Sequence, residues 1–210
     1  VVVTVQRDQP RLELAASDPV ANAETPVNVT VANGLADDIA NVDISLHGDA
    51  DVRNPRRVRA GIAAGETATF GFDAVADSPG DRRLEATMNY TTAGGTRRTV
   101  TRAATFSFDP LRERVSVEAT RAGTGSSLDV TLTNLGNTPV ENVTVTGRAD
   151  GVVARALLDR VASHDSRTVR LNASDVNGTR EVSVEATYDV GTRTGRQRTT
   201  ATVSTNPGAI

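Results

Sequence analysis

At 210 residues the chain has room for one or two domains, and its formal net charge of −3 supplies no basic field for a nucleic acid. It has no cysteine, which excludes a disulfide framework and a thiolate metal site. With no tryptophan and only 3% aromatic residues, any core has to be built from Val, Leu, Ile and Ala.

Val1–Val5 reads as a strand and Gln6–Pro10 as a connector. Seven strand candidates follow, at about 11–16, 26–32, 39–46, 52–59, 66–74, 82–92 and 97–108. Turn signals separate or punctuate them: Asp18-Pro19, Asn33-Gly34, Asn54-Pro55, Ala64-Gly65, Pro79-Gly80 and Gly94-Gly95. Within the strands apolar residues alternate with polar ones. Val27, Val29 and Val31 form one apolar row, and Val42, Ile44 and Leu46 form another. Helical periodicity is absent beyond about two turns; Ala154–Val161 comes nearest and reads as loop or strand. Short alternating strands between regular turns predict an all-β fold of antiparallel, immunoglobulin-like sandwich type.

The pattern is duplicated. The pattern of Pro26–Leu46 returns through Leu128–Val145 at a constant offset of 101 residues, Val27 matching Leu128 and Ile44 matching Val145; Ile62–Phe72 recurs at Val161–Leu171 at offset 99, and Leu84–Tyr90 at Val182–Tyr188 at offset 98. Slippage falls between strands, where loops absorb insertions and deletions. Two tandem sandwiches of about seven strands each are therefore expected, at residues 10–108 and 114–205, with a linker at 109–113. Residues 1–9 read as the last strand of a preceding repeat with its linker, and 206–210 as the start of a following linker, so the parent is expected to be an array. Pro110 in so short a linker predicts a semi-rigid rod.

Chemistry-bearing residues are sparse. The two histidines, His47 and His164, fall at non-equivalent places in the repeats, with no nucleophile elbow or HExxH motif near them. Gly123-Thr124-Gly125 lacks the lysine and following helix of a phosphate loop. Asp37-Asp38, Asp49 with Asp51, and Asp77 with Asp81 offer hard oxygen ligands, but no single loop holds the six to eight that calcium takes. A calcium site shared between domains near Asp109 stays open. Arginines cluster at Arg53, Arg56, Arg57 and Arg59, at Arg97, Arg98 and Arg102, and at Arg193, Arg196 and Arg198; the last two clusters lie on equivalent strands and could form a stripe. Aromatic residues for stacking on nucleic acid are missing. No catalytic residue, cofactor or metal ligand is expected.

Five N-x-S/T sequons start at Asn28, Asn89, Asn142, Asn172 and Asn177, where the composition gives about two by chance. In three of them the middle residue belongs to an inward apolar row, which turns Asn and Thr outward.

Asn33-Gly34 and Asn134-Leu135-Gly136, Asn41-Val42 and Asn142-Val143, Ala64-Gly65-Glu66-Thr67, and Tyr90 or Tyr188 together resemble the CARDB domain, a cell-adhesion-related module, and the surface-layer-like repeats of archaea. The second repeat departs from the pattern at Ser163-His164-Asp165. Every one of the 23 cationic residues is arginine and Asp outnumbers Glu by 17 to 9, a composition of a salt-adapted, haloarchaeal kind. The resemblance implies a secreted or membrane-tethered surface protein whose sandwiches act as spacers or adhesion modules, and it brings no universal functional residue.

No apolar run approaches the 18 or so residues of a membrane span. The expected role is thus a non-catalytic segment of an extracellular or cell-surface repeat protein, an adhesion or structural spacer and protein-interaction module. Its expected partners are surface proteins or envelope components, with glycans a further class; nucleic acid is excluded, and a membrane is reached only through an anchor outside the segment. The alternative is an accessory polysaccharide-binding module of a larger secreted enzyme.

Overall fold

The computed structural model describes residues 9–122, 127–149, 152–172 and 179–204. The expected strand before residue 9, Gly123-Thr124-Gly125, Asn177 and the segment 206–210 lie outside the described residues. The chain divides into two compact units, Val1–Pro110 and Leu111–Ile210. All regular structure among the described residues is β, and every named strand pair is antiparallel.

Unit 1 contains β1 (Arg11–Ala16), β2 (Thr25–Ala32), β3 (Ile39–Gly48), β4 (Asp51–Arg53), β5 (Arg56–Ile62), β6 (Thr67–Val75), β7 (Gly80–Thr91) and β8 (Arg97–Phe108). They form two sheets, ordered β1-β2-β6-β4 and β5-β3-β7-β8. Unit 2 contains β9 (Val115–Arg121), β10 (Ser127–Asn134), β11 (Val140–Ala149), β12 (Val152–Val161), β13 (Asp165–Asn172), β14 (Thr179–Val190) and β15 (Arg193–Ser204). Its sheets are β13-β10-β9 and β12-β11-β14-β15. Each unit is an immunoglobulin-like sandwich.

Alternation builds the cores. Val27, Val29 and Val31 of β2 are fully buried against Val42, Ile44 and Leu46 of β3 and against Leu84, Ala86, Met88 and Tyr90 of β7. Leu128, Val130 and Leu132 meet Val143, Val145, Val184, Ala186 and Tyr188 in unit 2. A fully buried aliphatic side chain contributes roughly 1.5–3 kcal/mol, so these rows carry most of each unit's stability. Unit 1 has an additional small cluster of Ala21, Ala76 and Phe108. Backbone bonds hold it in place: the Asp109 N–H donates to the Pro19 carbonyl at 2.8 Å, and the Ala21 N–H to the Asp109 carbonyl at 2.9 Å. On the other side of the division, the Arg112 N–H donates to Asn137 Oδ1 at 2.8 Å.

The expected single strand at 52–59 is in fact two, and they belong to opposite sheets: β4 pairs with β6, and β5 with β3. Asn54 takes a left-handed φ of 48° and Pro55 has no N–H to give a ladder, so the run of extended residues breaks between them. Gly48 prepares the crossing. At its φ of 152° a Cβ would lie 2.1 Å from the Arg83 carbonyl oxygen, so only glycine lets β3 stay this close to β7 before the chain leaves. Among the described residues unit 1 therefore has eight strands and unit 2 seven. Ala154–Val161 is strand, part of β12 and paired with β11 at every position but Asp159, which stands beside the Asn142 bulge. Its two-residue period was obscured because both faces carry apolar residues, with Ala154, Ala156 and Leu158 half-buried and Val153 and Leu157 exposed.

Candidate interaction surface

Two buried asparagines define the frame on which the surface is built. Asn33 Nδ2 donates to the carbonyls of Asp37 (3.0 Å), Ile62 (3.1 Å) and Ala63 (3.0 Å), and its Oδ1 accepts from the Leu35 N–H at 3.2 Å. Asn134 repeats this partner for partner, with the carbonyls of Thr138 (2.8 Å), Val161 (3.3 Å) and Ala162 (3.2 Å) and the Gly136 N–H (2.9 Å). Read from sequence, each was only the first residue of a turn. In the fold each ties the β2–β3 or β10–β11 connection to the end of the neighbouring edge strand. The sign of this was available: Asn33 continues the alternation of Val27, Val29 and Val31, so its side chain had to point inward.

Asn41 and Asn142 have a different shared role. Both adopt φ of 50°, and both sit where the register shifts, between Ala40 and Asp43 and between Glu141 and Thr144. A β-bulge needs a residue that tolerates the left-handed region, which asparagine does. The bulge is also why Ile39 and Val42 are both buried although three positions apart.

The sequons project from this frame. Val29, Tyr90 and Val143, the middle residues at Asn28, Asn89 and Asn142, are all buried. Asn28 is exposed in the β1-β2-β6 sheet opposite Ala15 and Gly71, which leave space around its amide. Asn89 Oδ1 accepts from Thr99 Oγ1 at 2.7 Å, and Asn172 Oδ1 from Ser127 Oγ at 3.1 Å. Asn142 Nδ2 donates to Asp189 Oδ2 at 3.0 Å; this bond, with that from Thr194, holds the Asp189 carboxyl below the ordinary carboxylate range.

The candidate chemical groups are dispersed into structural tasks. His164 lies in the turn between β12 and β13 at φ 58°, the place where Gly65 stands at φ 72° in unit 1. Ser163 Oγ gives its proton to the Gly136 carbonyl at 2.6 Å, so at 2.8 Å it accepts one from His164 Nδ1. That imidazole nitrogen cannot be the base that activates the hydroxyl. Asp38 accepts from the Ala64 N–H at 2.8 Å and Asp49 from the Arg83 N–H at 3.1 Å. Among the described residues no three His, Cys, Asp or Glu side chains gather as metal ligands.

The arginines likewise do not form one patch. Arg56 makes a bidentate pair with Asp43 at 2.8 and 2.9 Å, which holds the Asp43 carboxyl below its ordinary range. Arg53 pairs with Glu24 and Arg59 with Glu66, whose pKa is lowered first by the Ala63 N–H and then by Arg59. Arg57 lies over the Phe72 ring at 4.9 Å. The expected stripe is split by alternation. Arg97 is paired with Thr91 on the outer face of β8, whereas Arg98 and Arg102 oppose the buried Tyr90 and Ala86. In unit 2, Arg196 and Arg198 share the outer face with Glu185, and the hydrogen bond from Arg198 lowers the Glu185 pKa.

What stands out on the surface is apolar. Four large hydrophobic side chains are exposed among the described residues, and three are on β5 and β12, the outermost strands of their sheets: Val58, Val153 and Leu157. Val58 and Leu157 are 65% and 73% exposed and occupy equivalent positions of the two repeats. An edge strand also offers unpaired N–H and C=O groups, so each of these edges is a ready site for pairing with another chain.

No family model and no curated protein matches the chain. Among solved structures it is similar to a red sea bream transglutaminase, with 14% identity over 92% of this chain at a TM-score of 0.36; this chain spans 31% of that enzyme's length. The YadV chaperone aligns at 12% identity over 91% of this chain and 99% of its own, with a TM-score of 0.31. The D0-D1 domain of intimin aligns at 18% identity over 82% and 89%, with a TM-score of 0.31.

Proposed function

We propose that the chain is a non-catalytic spacer and protein-interaction segment of an extracellular or cell-surface repeat protein. One observation carries the reading. The two units place their buried side chains at equivalent positions and repeat the three carbonyls held by Asn33 and Asn134, while their outward faces differ. A scaffold held constant under a changing surface suits contact with partners better than a single chemical task. The outward sequons and the resemblance to CARDB and archaeal surface-layer-like modules belong to the same proposal, as does the salt-adapted composition. The partners are surface proteins or envelope components, reached through sheet faces and edges.

Protease shaving of intact cells tests the location: peptides from this chain should be released before lysis, with Asn28 carrying glycan by mass spectrometry. Recovery of those peptides only after lysis overturns the surface reading. The alternative, an accessory module that binds polysaccharide, has little support, because Tyr90 and Tyr188 are buried in their cores rather than displayed. Specific retention on a polysaccharide column would reverse that order.

A further inference from the structure

The exposed edges β5 and β12 are equivalent, but their charges are arranged differently. In β5, Arg56 is closed off by its bidentate pair with Asp43, Val58 stands alone, and position 60 is alanine. In β12 the residue equivalent to Asp43 is Thr144, so Arg155 has no in-sheet acid opposite it; instead the alanine position has become Asp159. Arg155 and Asp159 are both exposed and flank the exposed Leu157 two residues to either side. Neither makes an ion pair among the described residues. The strand is also longer, ten residues against seven, and no proline interrupts it.

The sequence Arg-x-Leu-x-Asp is its own antiparallel complement. When two such strands pair with the two-fold axis at Leu157, Leu157 faces its copy. Each Arg155 then lies opposite the other chain's Asp159, twice over. On the inner side, half-buried Ala156 lies opposite half-buried Leu158, covering both. An isologous contact of this kind closes on itself, because each β12 edge is used up by the other.

We infer that β12 is a homotypic pairing edge, joined antiparallel to β12 of a second copy with Leu157 on the axis. The inference rests on the interaction reading above and names the partner for one of its edges. A single strand pair buries less than a standard interface, so the dimer is weak and concentration-dependent.

The absence of cysteine gives a direct test on the full 210-residue chain. Directly opposed residues bring Cβ atoms to about 4.5–5.5 Å, within reach of a disulfide after small adjustment. Leu157→Cys should oxidise to a covalent dimer, whereas Val58→Cys, equally exposed in the other unit, should not. By sedimentation, Arg155→Asp and Asp159→Arg each place like charges opposite one another and should weaken the dimer about tenfold. The combined R155D/D159R variant restores complementarity and should return it to within about threefold of the parent. A monomer at every concentration overturns the inference, as does cross-linking equal at both positions or a double variant no better than the singles. If the chain is monomeric but β12 variants lose binding to isolated envelope, the interaction reading survives and the homotypic partner does not.

Discussion

Two copies of one sandwich, carried in a single chain, show which features the fold needs and which it leaves free. The connection after the second strand of each unit is the same at the level of atoms: an inward asparagine, three carbonyls, and a bulge with asparagine at φ 50°. The edge strand that follows is not. Unit 1 interrupts it with Asn54-Pro55 and sends three residues across to the opposite sheet; unit 2 runs straight through ten residues. A buried amide that gathers three carbonyls has few substitutes, because an apolar replacement withdraws a donor from each of them at once. An edge strand has a neighbour on one side only, so it can be cut, bent or recharged without disturbing a core.

The sharpest break of this comparison is removal of the shared asparagine. Asn33→Leu should destabilise unit 1 by about 2–4 kcal/mol, because the Ile62, Asp37 and Ala63 carbonyls and the Leu35 N–H all lose their bond to the amide, and of the carbonyls Ala63 still accepts from the Glu66 N–H. Asn134→Leu should do the same to unit 2. Urea unfolding followed by residue-resolved hydrogen exchange should show the loss in the mutated unit only; an equal loss in both would mean that the units do not unfold separately.

Next is a difference between the late strands. Tyr188 faces Gly195 across β14 and β15, while its counterpart Tyr90 faces Arg98. A Cβ at Gly195 would lie 2.3 Å from the Tyr188 ring and 2.6 Å from Glu113 Oε1, so Gly195→Ala should cost unit 2 about 1–3 kcal/mol. Arg98→Ala in unit 1 should shift its urea midpoint little.

The same ring gives unit 2 a pH dependence. Burial, followed by the 2.9 Å hydrogen bond that the Tyr188 hydroxyl donates to Glu113, pushes its pKa up to about 12. Between the ordinary value of 10.0 and about 12 the folded form holds a proton that the unfolded form has lost, so this contribution to stability is complete below pH 10 and disappears as pH rises toward 12. Tyr188→Phe should flatten that alkaline limb in unit 2, measured by thermal unfolding against pH, and leave unit 1 unchanged.

The smallest effect separates the two turns. His164 holds φ 58° where Gly65 holds φ 72°, and a side chain with a Cβ is strained there. His164→Gly should raise the stability of unit 2 by about 0.5–1 kcal/mol, and Gly65→Ala should lower that of unit 1 by about 1 kcal/mol. Identical responses at both positions would show that the Ser163–His164 contact offsets the strain.

Much of this was legible in the residues. The apolar rows Val27-Val29-Val31 and Leu128-Val130-Leu132 follow directly from a two-residue period, and a constant offset of 101 residues reveals the duplication. Outward presentation of Asn28, Asn89 and Asn142 follows from the same alternation. The continuity of 52–59 was misread because local extended propensity on both sides of Asn54-Pro55 says nothing about which sheet each half joins. Ala154–Val161 was ambiguous because an edge strand with apolar residues on both faces loses the alternation that identifies a strand.

The sequence by itself determined the all-β class, the duplication and the identity of the cores, since these depend on periodicity along the chain. Only the tertiary structure decided that Asn33 and Asn134 bind the ends of distant strands, that Arg56 is neutralised by Asp43 while Arg155 has no such partner among the described residues, and that Val58 and Leu157 lie on open edges. These are relations between residues on different strands, 13 to 29 positions apart in the pairs named. Their energies come from hydrogen-bond geometry and exposure, which exist only once the sheets have closed.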